Sequence, residues 1–301
     1  MKRLPKVVKQ NLVAYSFILP NFVGFAVFTL IPLVSGLFLS FMVWDGYNLP
    51  EFVGLQNFQE ILGDSQILRA IRNTIIYTVA VVPITMALAL GLALILNTKV
   101  HGKGFFRTVS FFPYVASLVS VTAVWNFIFN PTFGPVNNFL NGVLGIPLSE
   151  LPKWAADNDW AIPTAILFSV WKSMGYYMVI FLAGLQDIDP QLYEAASLDG
   201  ANRWQKFRYV TVPQLSSTTF FVSIILVISS FKVYDIFINL FAGTTTNLTD
   251  ATRVLVYEIY SAAFRKNEYG RASAISMILF LMVLVITLIQ FYGEKRKEAK
   301  S

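Results

Sequence analysis

The apolar positions of this chain gather into six long runs, at 15–43, 73–96, 108–130, 161–185, 217–241 and 272–292. Each is long enough to cross a bilayer core of about 30 Å, which takes about 20 helical residues. Together the runs cover 147 residues and hold three charges, Lys172, Lys232 and Asp235. Membrane barrel strands alternate polarity over about 10 residues, and these runs do not alternate. The pattern predicts an all-α polytopic membrane protein, one domain with six transmembrane helices. The first run exceeds the about 7–15-residue apolar core of a cleaved signal peptide and lacks a clear small-residue cleavage site. Pro20 and Pro32 are expected to bend or interrupt it, and Pro83, Pro113 and Pro163 to kink spans two to four.

Composition agrees with an apolar surrounding. Charged residues make up 13% of 301 and hydrophobic ones 55%, against about 25% charged in a soluble domain. So few charges could not cover a soluble exterior. The absence of cysteine excludes disulfides and thiolate sites, and the single histidine, His101, excludes a His-rich zinc centre.

The excess of Lys and Arg is sided. An even number of spans puts both termini on one side, with the connections 97–107 and 186–216. That side carries 14 Lys and Arg in 65 residues; the other carries 7 in 89. The positive-inside rule therefore makes both termini cytoplasmic. The basic excess is topological and implies no nucleic-acid partner. One outer loop, 242–271, disagrees, with Arg253, Arg265, Lys266 and Arg271; within it 254–264 reads as a short helix at the outer surface.

The 186–216 loop has structure of its own. Asp189-Pro190 is a helix start, with an N-cap carboxylate ahead of proline at the first position. Gly200 stands where a left-handed C-terminal cap belongs. Asn202 can cap a second helix over 203–208, which must stop before Pro213. DNA binding by this helix-turn-helix is disfavoured, since the loop is tethered between spans and holds four acidic against three basic residues.

Here the sequence resembles a known family. Glu194-Ala195-Ala196, three residues, Gly200, nine residues, then Val210-Thr211-Val212-Pro213 is similar to the EAA loop of ABC-importer permeases. Its carbohydrate, maltose-permease-like branch is further suggested by Gly54-Leu55-Gln56-Asn57-Phe58, Phe105-Phe106-Arg107 and Tyr269-Gly270-Arg271-Ala272. One departure is Ala242-Gly243-Thr244-Thr245-Thr246, where many relatives carry a threonine-glycine-glycine-glycine-proline run. The resemblance implies a type I ABC importer permease fold in a bacterial or archaeal cytoplasmic membrane. It also implies partners: a cytoplasmic ATPase dimer, a second homologous permease and an extracellular or periplasmic solute-binding protein. Glu194, Ala195, Ala196, Asp199 and Gly200 would form the ATPase-coupling helix. The alanines would admit a close partner, Glu194 would pair with a basic group on it, and Gly200 would turn the chain without Cβ strain.

The chain has no G-x-x-x-x-G-K-[ST] loop, H-E-x-x-H or G-x-S-x-G motif. It is therefore expected to hydrolyse no ATP itself, to carry no catalytic site and to need no cofactor or metal. The competing class is a proton- or sodium-coupled secondary transporter, for which intramembrane carboxylates are diagnostic; Asp235 is the only one here. A phosphorylated polyol is the alternative cargo to a sugar, because Lys172 and Lys232 could offset its charge.

Polar groups within spans face a cavity or the bundle interior. Span four offers Trp171, Lys172, Ser173 and Tyr176, where 172, 173 and 176 share a helical face, with Gly175 loosening the helix beside them. Span five offers Ser229, Ser230, Tyr234 and Asp235, with 230 and 234 one turn apart. Hydroxyl partners and flat rings are what a sugar needs, and the resemblance implies substrate contacts from these spans. The competing reading has Trp171 and Tyr176 packing between helices and Lys172 paired with Asp235.

Overall fold

The computed structural model describes residues 6–98, 101–147, 149–242 and 251–298. The outer-loop departure at 243–246 lies outside the described residues. The chain is helical: α1 (Lys6–Phe25), a π turn at Ala26–Leu30, α2 (Ile31–Leu39), a two-residue hairpin β1 (Met42–Val43) and β2 (Glu51–Phe52), then α3 (Gln56–Gly63) and α4 (Ser65–Asn97). Next come α5 (Lys103–Val115), α6 (Leu118–Ile128), α7 (Pro135–Leu144), a 3-10 turn at Trp154–Ala156 and α8 (Asn158–Gln186). The remainder is α9 (Pro190–Leu198), α10 (Arg203–Lys206), α11 (Val212–Gln214), α12 (Ser216–Phe231), α13 (Asp235–Leu240), α14 (Leu255–Tyr260) and α15 (Tyr269–Glu298).

Four helical segments are unbroken and apolar enough to span: Gln10–Leu39, Ser65–Asn97, Asn158–Gln186 and Tyr269–Arg296. The other two expected spans are not straight helices. Span three is α5 and α6, bent by 101° where Ala116 and Ser117 turn extended. Span five stops at Phe231 and restarts at Asp235. Neither break contains proline or glycine. Span one, in contrast, survives its prolines as one helical segment. Pro20 sits within α1, and Pro32 follows a π turn in which the Ile31 N–H reaches the Ala26 carbonyl. Widening the ladder just ahead of a proline lets the chain pass a residue that has no N–H to give. The first span also ends earlier than expected, because 42–43 pairs with 51–52 as a hairpin.

Two compact units are present. One comprises 1–64 with 259–278, the other 65–258 with 279–301. In the first, the buried Asn57 donates to the carbonyls of Ser40 (3.0 Å) and Met42 (2.9 Å). The Tyr269 N–H donates to the Trp44 carbonyl at 2.9 Å. Arg271 bonds Asp64 at 2.6 Å, with Glu60 and Glu268 within 4 Å. The adjoining turn is tied by Asp45, whose carboxylate accepts from the N–H groups of Asn48 and Tyr47 and lies below the ordinary aspartate pKa for that reason. In the second unit α4, α8 and α12 pack around Phe168, Met178, Phe181 and Leu226, all buried. Arg253 is paired there with Glu258 and Gln66. Two of the four basic residues that run against the charge rule are thus held by acidic partners in Arg253 and Arg271, which lowers the cost of placing them on that side.

Candidate functional site

The three charges in the apolar runs all stand at the two helix breaks. The end of α5 leaves carbonyls with no helical donor. The Lys172 ammonium, projecting from α8, donates to the carbonyls of Pro113 (2.8 Å), Ala116 (3.2 Å) and Tyr114 (3.4 Å). In span five, Lys232 is the C-cap of α12 and Asp235 the first residue of α13. A cation at a C-terminus and an anion at an N-terminus each complement the helix dipole. Lys172 and Asp235 form no ion pair with each other among the described residues. Replacing Lys172 by Met should strip the α5 end of its donors at a cost of about 2 kcal/mol. The expected readout is a lower Tm of the purified complex, largely restored by Lys172→Arg.

Between these breaks lies a cavity of about 310 Å³. Of the eight side chains singled out in spans four and five, Lys172, Ser173, Ser229, Ser230, Tyr234 and Asp235 line it. Trp171 and Tyr176 do not. Trp171 packs against Trp125, ring centroids 5.1 Å apart. Tyr176 stacks at 4.4 Å and 12° on Tyr114, which does reach the cavity. The expected one-turn stacking of Ser230 over Tyr234 is replaced by a break in the helix, since α12 has already ended. Both still face the same space.

Tyr77, Tyr114, Tyr177 and Ser169 also line the cavity and are not among the residues singled out from sequence. The Tyr77 hydroxyl donates to Ser169 Oγ at 2.7 Å, and Ser169 donates on to the Ala165 carbonyl at 2.6 Å. Ser169 stands one turn before Ser173, so helical spacing alone could have found it. Nothing in the sequence marks Tyr77, which comes from a different helix. Gly175 does not loosen α8, as its sequence position suggested. It is buried, and a Cβ there would meet the α5 backbone at Ser110 and Phe111. The glycine lets two backbones touch, as small residues do at membrane helix crossings.

At 186–216 the expected caps are present. The Asp189 carboxylate accepts from the Gln191 N–H at 2.9 Å. Gly200 has φ +76°, and the Ala201 N–H returns to the Ala196 carbonyl at 2.9 Å while that of Gly200 returns to Ser197 at 3.1 Å. That is a complete Schellman closure. Asn202 and Gln205 form a reciprocal capping box. The second helix does not stop before Pro213: a π turn at Phe207–Thr211 again precedes the proline, and the helix ends one residue beyond it, at Gln214, ahead of a 66° bend. The two helices are tied by Tyr193 to Thr211 at 2.9 Å and Lys206 to Ser197 at 2.6 Å. Glu194, Ala195, Asp199 and Gly200 are exposed and Ala196 half-buried. Leu198 (89%), Trp204 (69%) and Tyr209 (72%), on the same hairpin, are exposed as well.

Comparison with known proteins gives a consistent picture. The family model described as "Binding-protein-dependent transport system inner membrane component" matches residues 87–298. A probable starch degradation products transport system permease protein of Thermoanaerobacterium thermosulfurigenes is 31% identical over 100% of both chains. An sn-glycerol-3-phosphate transport system permease protein of Agrobacterium fabrum is 33% identical, covering 96% of this chain and 97% of the relative. Among solved structures, a chain of a bacterial alginate ABC transporter, crystallised with its alginate pentasaccharide-bound periplasmic protein, superposes with TM-score 0.83 at 26% identity over 98% of each chain.

Proposed function

The chain belongs to the family of binding-protein-dependent transport system inner membrane components, and from that membership we propose that it is the permease subunit of an ATP-driven importer of neutral sugars or oligosaccharides. It contributes half of the pathway beside a second, homologous permease in the cytoplasmic membrane. A separate ATPase dimer grips the 186–216 hairpin on the side that the basic residues make cytoplasmic, and a solute-binding protein delivers cargo from the other side. Glu194, Ala195, Ala196, Asp199 and Gly200 form the grip, with Leu198 and Trp204 as its apolar contacts.

The observation that carries the cargo is the central cavity, where four tyrosines, Tyr77, Tyr114, Tyr177 and Tyr234, stand among the hydroxyls of Ser169, Ser173, Ser229 and Ser230. Aromatic faces cover sugar C–H surfaces, and hydroxyls exchange hydrogen bonds with sugar hydroxyls. The related glycerol-3-phosphate permease raises a phosphorylated cargo, but the charges here do not call for one. Lys172 has its donors committed to three carbonyls, and Asp235 adds to the same wall a carboxylate that would repel a phosphate. A proton- or sodium-coupled carrier is disfavoured by the membership of a binding-protein-dependent family and by Asp235 being the one carboxylate in the six apolar runs.

The complex reconstituted in proteoliposomes should take up maltotriose in preference to glycerol 3-phosphate. Tyr114→Ala and Ser230→Ala, made separately, should each raise the KM for maltotriose by about tenfold, the equivalent of about 1.4 kcal/mol. Preferred uptake of the phosphate ester would overturn the neutral-sugar assignment.

A further inference from the structure

The connection between spans three and four carries a helix whose amphipathicity is inverted. In α7, Val136, Phe139, Leu140 and Val143 recur at the i, i+3, i+4, i+7 spacing that ordinarily marks the face turned to a protein core. Here that face points away. Phe139 and Val143 are each 63% exposed, and Val136 and Leu140 are half-buried. Asparagines hold the inner face instead. Asn137, only 1% exposed, donates through Nδ2 to the carbonyls of Pro131 (3.2 Å) and Pro152 (3.0 Å), and its Oδ1 accepts from Trp154 Nε1 at 2.8 Å. Asn141, one turn on, donates to the Ile146 carbonyl at 2.7 Å. Rolling the helix over to bury its apolar stripe would break all four bonds.

Contacts at both ends fix the depth of this helix. Phe133, exposed just ahead of α7, meets Phe127 with ring centroids 6.0 Å apart. Phe127 and Val124 are exposed on α6, within the third apolar run. The ring pair thus joins the apolar surface of a spanning segment to that of the connection. On the inner side, the Trp154 ring held by Asn137 packs on Phe129 at 4.8 Å and on Trp160 at 5.9 Å. Trp160 is exposed and immediately precedes the fourth apolar run. α7 is therefore level with the ends of two spanning segments, at the end of α8 opposite the 186–216 hairpin. Hydrocarbon gives way to headgroups at that level, and tryptophan favours the same layer.

Charge selects the occupant. Residues 131–147 contain no charged side chain, and the four charges of the connection, Glu150, Lys153, Asp157 and Asp159, all follow them. A soluble partner that docks and departs is ordinarily met by an apolar centre with a polar rim. An uncharged stripe continuous with a spanning helix fits acyl chains. We propose that α7 is an interfacial helix, with Phe139 and Val143 inserted at the boundary between the headgroups and acyl chains of the surrounding bilayer. The bilayer then braces the connection, and the Asn137–Trp154 bond passes that bracing to the segment leading into α8. The assignment is independent of the cargo.

The test uses the assembled complex with cysteines removed from its partner subunits, since this chain has none of its own. Phe139→Cys, Val143→Cys and Asn138→Cys are labelled singly with nitrobenzoxadiazole. Each is reconstituted in phosphatidylcholine vesicles with or without bromine near the headgroup end of the acyl chains. Asn138 is exposed but stands about 100° around the helix from Phe139, on its polar edge. The brominated lipid should quench the labels at 139 and 143 severalfold more than the label at 138. Adding Phe139→Asp to Val143→Cys should remove most of the quenching with Tm in detergent unchanged, because this exposed side chain displaces nothing in the chain and a carboxylate is expelled from hydrocarbon. Equal quenching at all three positions, or quenching at 143 that survives Phe139→Asp, would overturn the proposal. So would labels at 139 and 143 that lipid does not quench: shielding by the solute-binding protein would then make α7 its docking surface, and shielding by the second permease a subunit contact.

Discussion

Gly175→Val should prevent the complex from accumulating in folded form. The new Cβ would meet the α5 backbone at Ser110 and Phe111, and backbone cannot swing aside as a side chain can. The helices must separate, and separation also draws Lys172, one turn earlier on α8, away from the α5 carbonyls it caps. Overpacking and a lost charged cap together cost about 3 kcal/mol or more, a large share of a stability of about 5–15 kcal/mol. Gly91 supplies the control. It too lies inside a spanning helix, but a Cβ there meets nothing within 4 Å. Purified yield and Tm should collapse for Gly175→Val and stay near wild type for Gly91→Ala. A wild-type Tm for Gly175→Val would mean that α5 and α8 do not cross at this glycine.

Gly200→Val should uncouple rather than unfold. Gly200 is exposed with open space around it, so valine displaces nothing. The cost is confined to the backbone, where φ +76° is disfavoured for a β-branched residue. Relief of that strain opens the Schellman closure and re-aims the hairpin proposed as the ATPase grip. Sugar-stimulated ATP hydrolysis should fall at least about tenfold, corresponding to about 1.4 kcal/mol of strain. Gly200→Asn should retain most of it, since asparagine tolerates the left-handed region. Glu194→Lys should lose stimulation with Tm unchanged, because its side chain is exposed and the reversed charge acts only on a partner. Normal stimulation in both Gly200→Val and Glu194→Lys would show that the hairpin is not the coupling element.

Much of this architecture can be read from sequence where the signal is local. Four of the six runs coincide with unbroken apolar helices and the other two with bent or interrupted ones, and the side chains of Asp189 and Asn202 and the absent one of Gly200 locate the hairpin's helix ends. The prolines misled. Pro32 suggests interruption, yet a five-residue π turn ahead of it carries the helix through, and a like turn takes the second hairpin helix one residue past Pro213 before a 66° bend; such turns have no composition of their own. The true breaks, at Ala116-Ser117 and Lys232–Tyr234, lack glycine and proline. Their mark is electrostatic: the only charges in the apolar runs are one cation donated to the α5 end and an oppositely signed pair flanking the break between α12 and α13. Within the cavity, residues on α8 could be found by spacing, whereas Tyr77 and Tyr114 belong to helices whose approach depends on tertiary packing. The same limit separates Trp171, which belongs to the interhelical core, from Lys172 beside it.

On the proposed function, ATP hydrolysed on a partner drives sugar through a pathway half built by this chain. The most direct test is maltotriose accumulation in proteoliposomes holding this chain, the second permease and the ATPase, with the solute-binding protein outside. Accumulation should require internal ATP and the binding protein, and should not appear under a proton or sodium gradient alone. Gradient-driven accumulation by this chain without the ATPase would contradict the account.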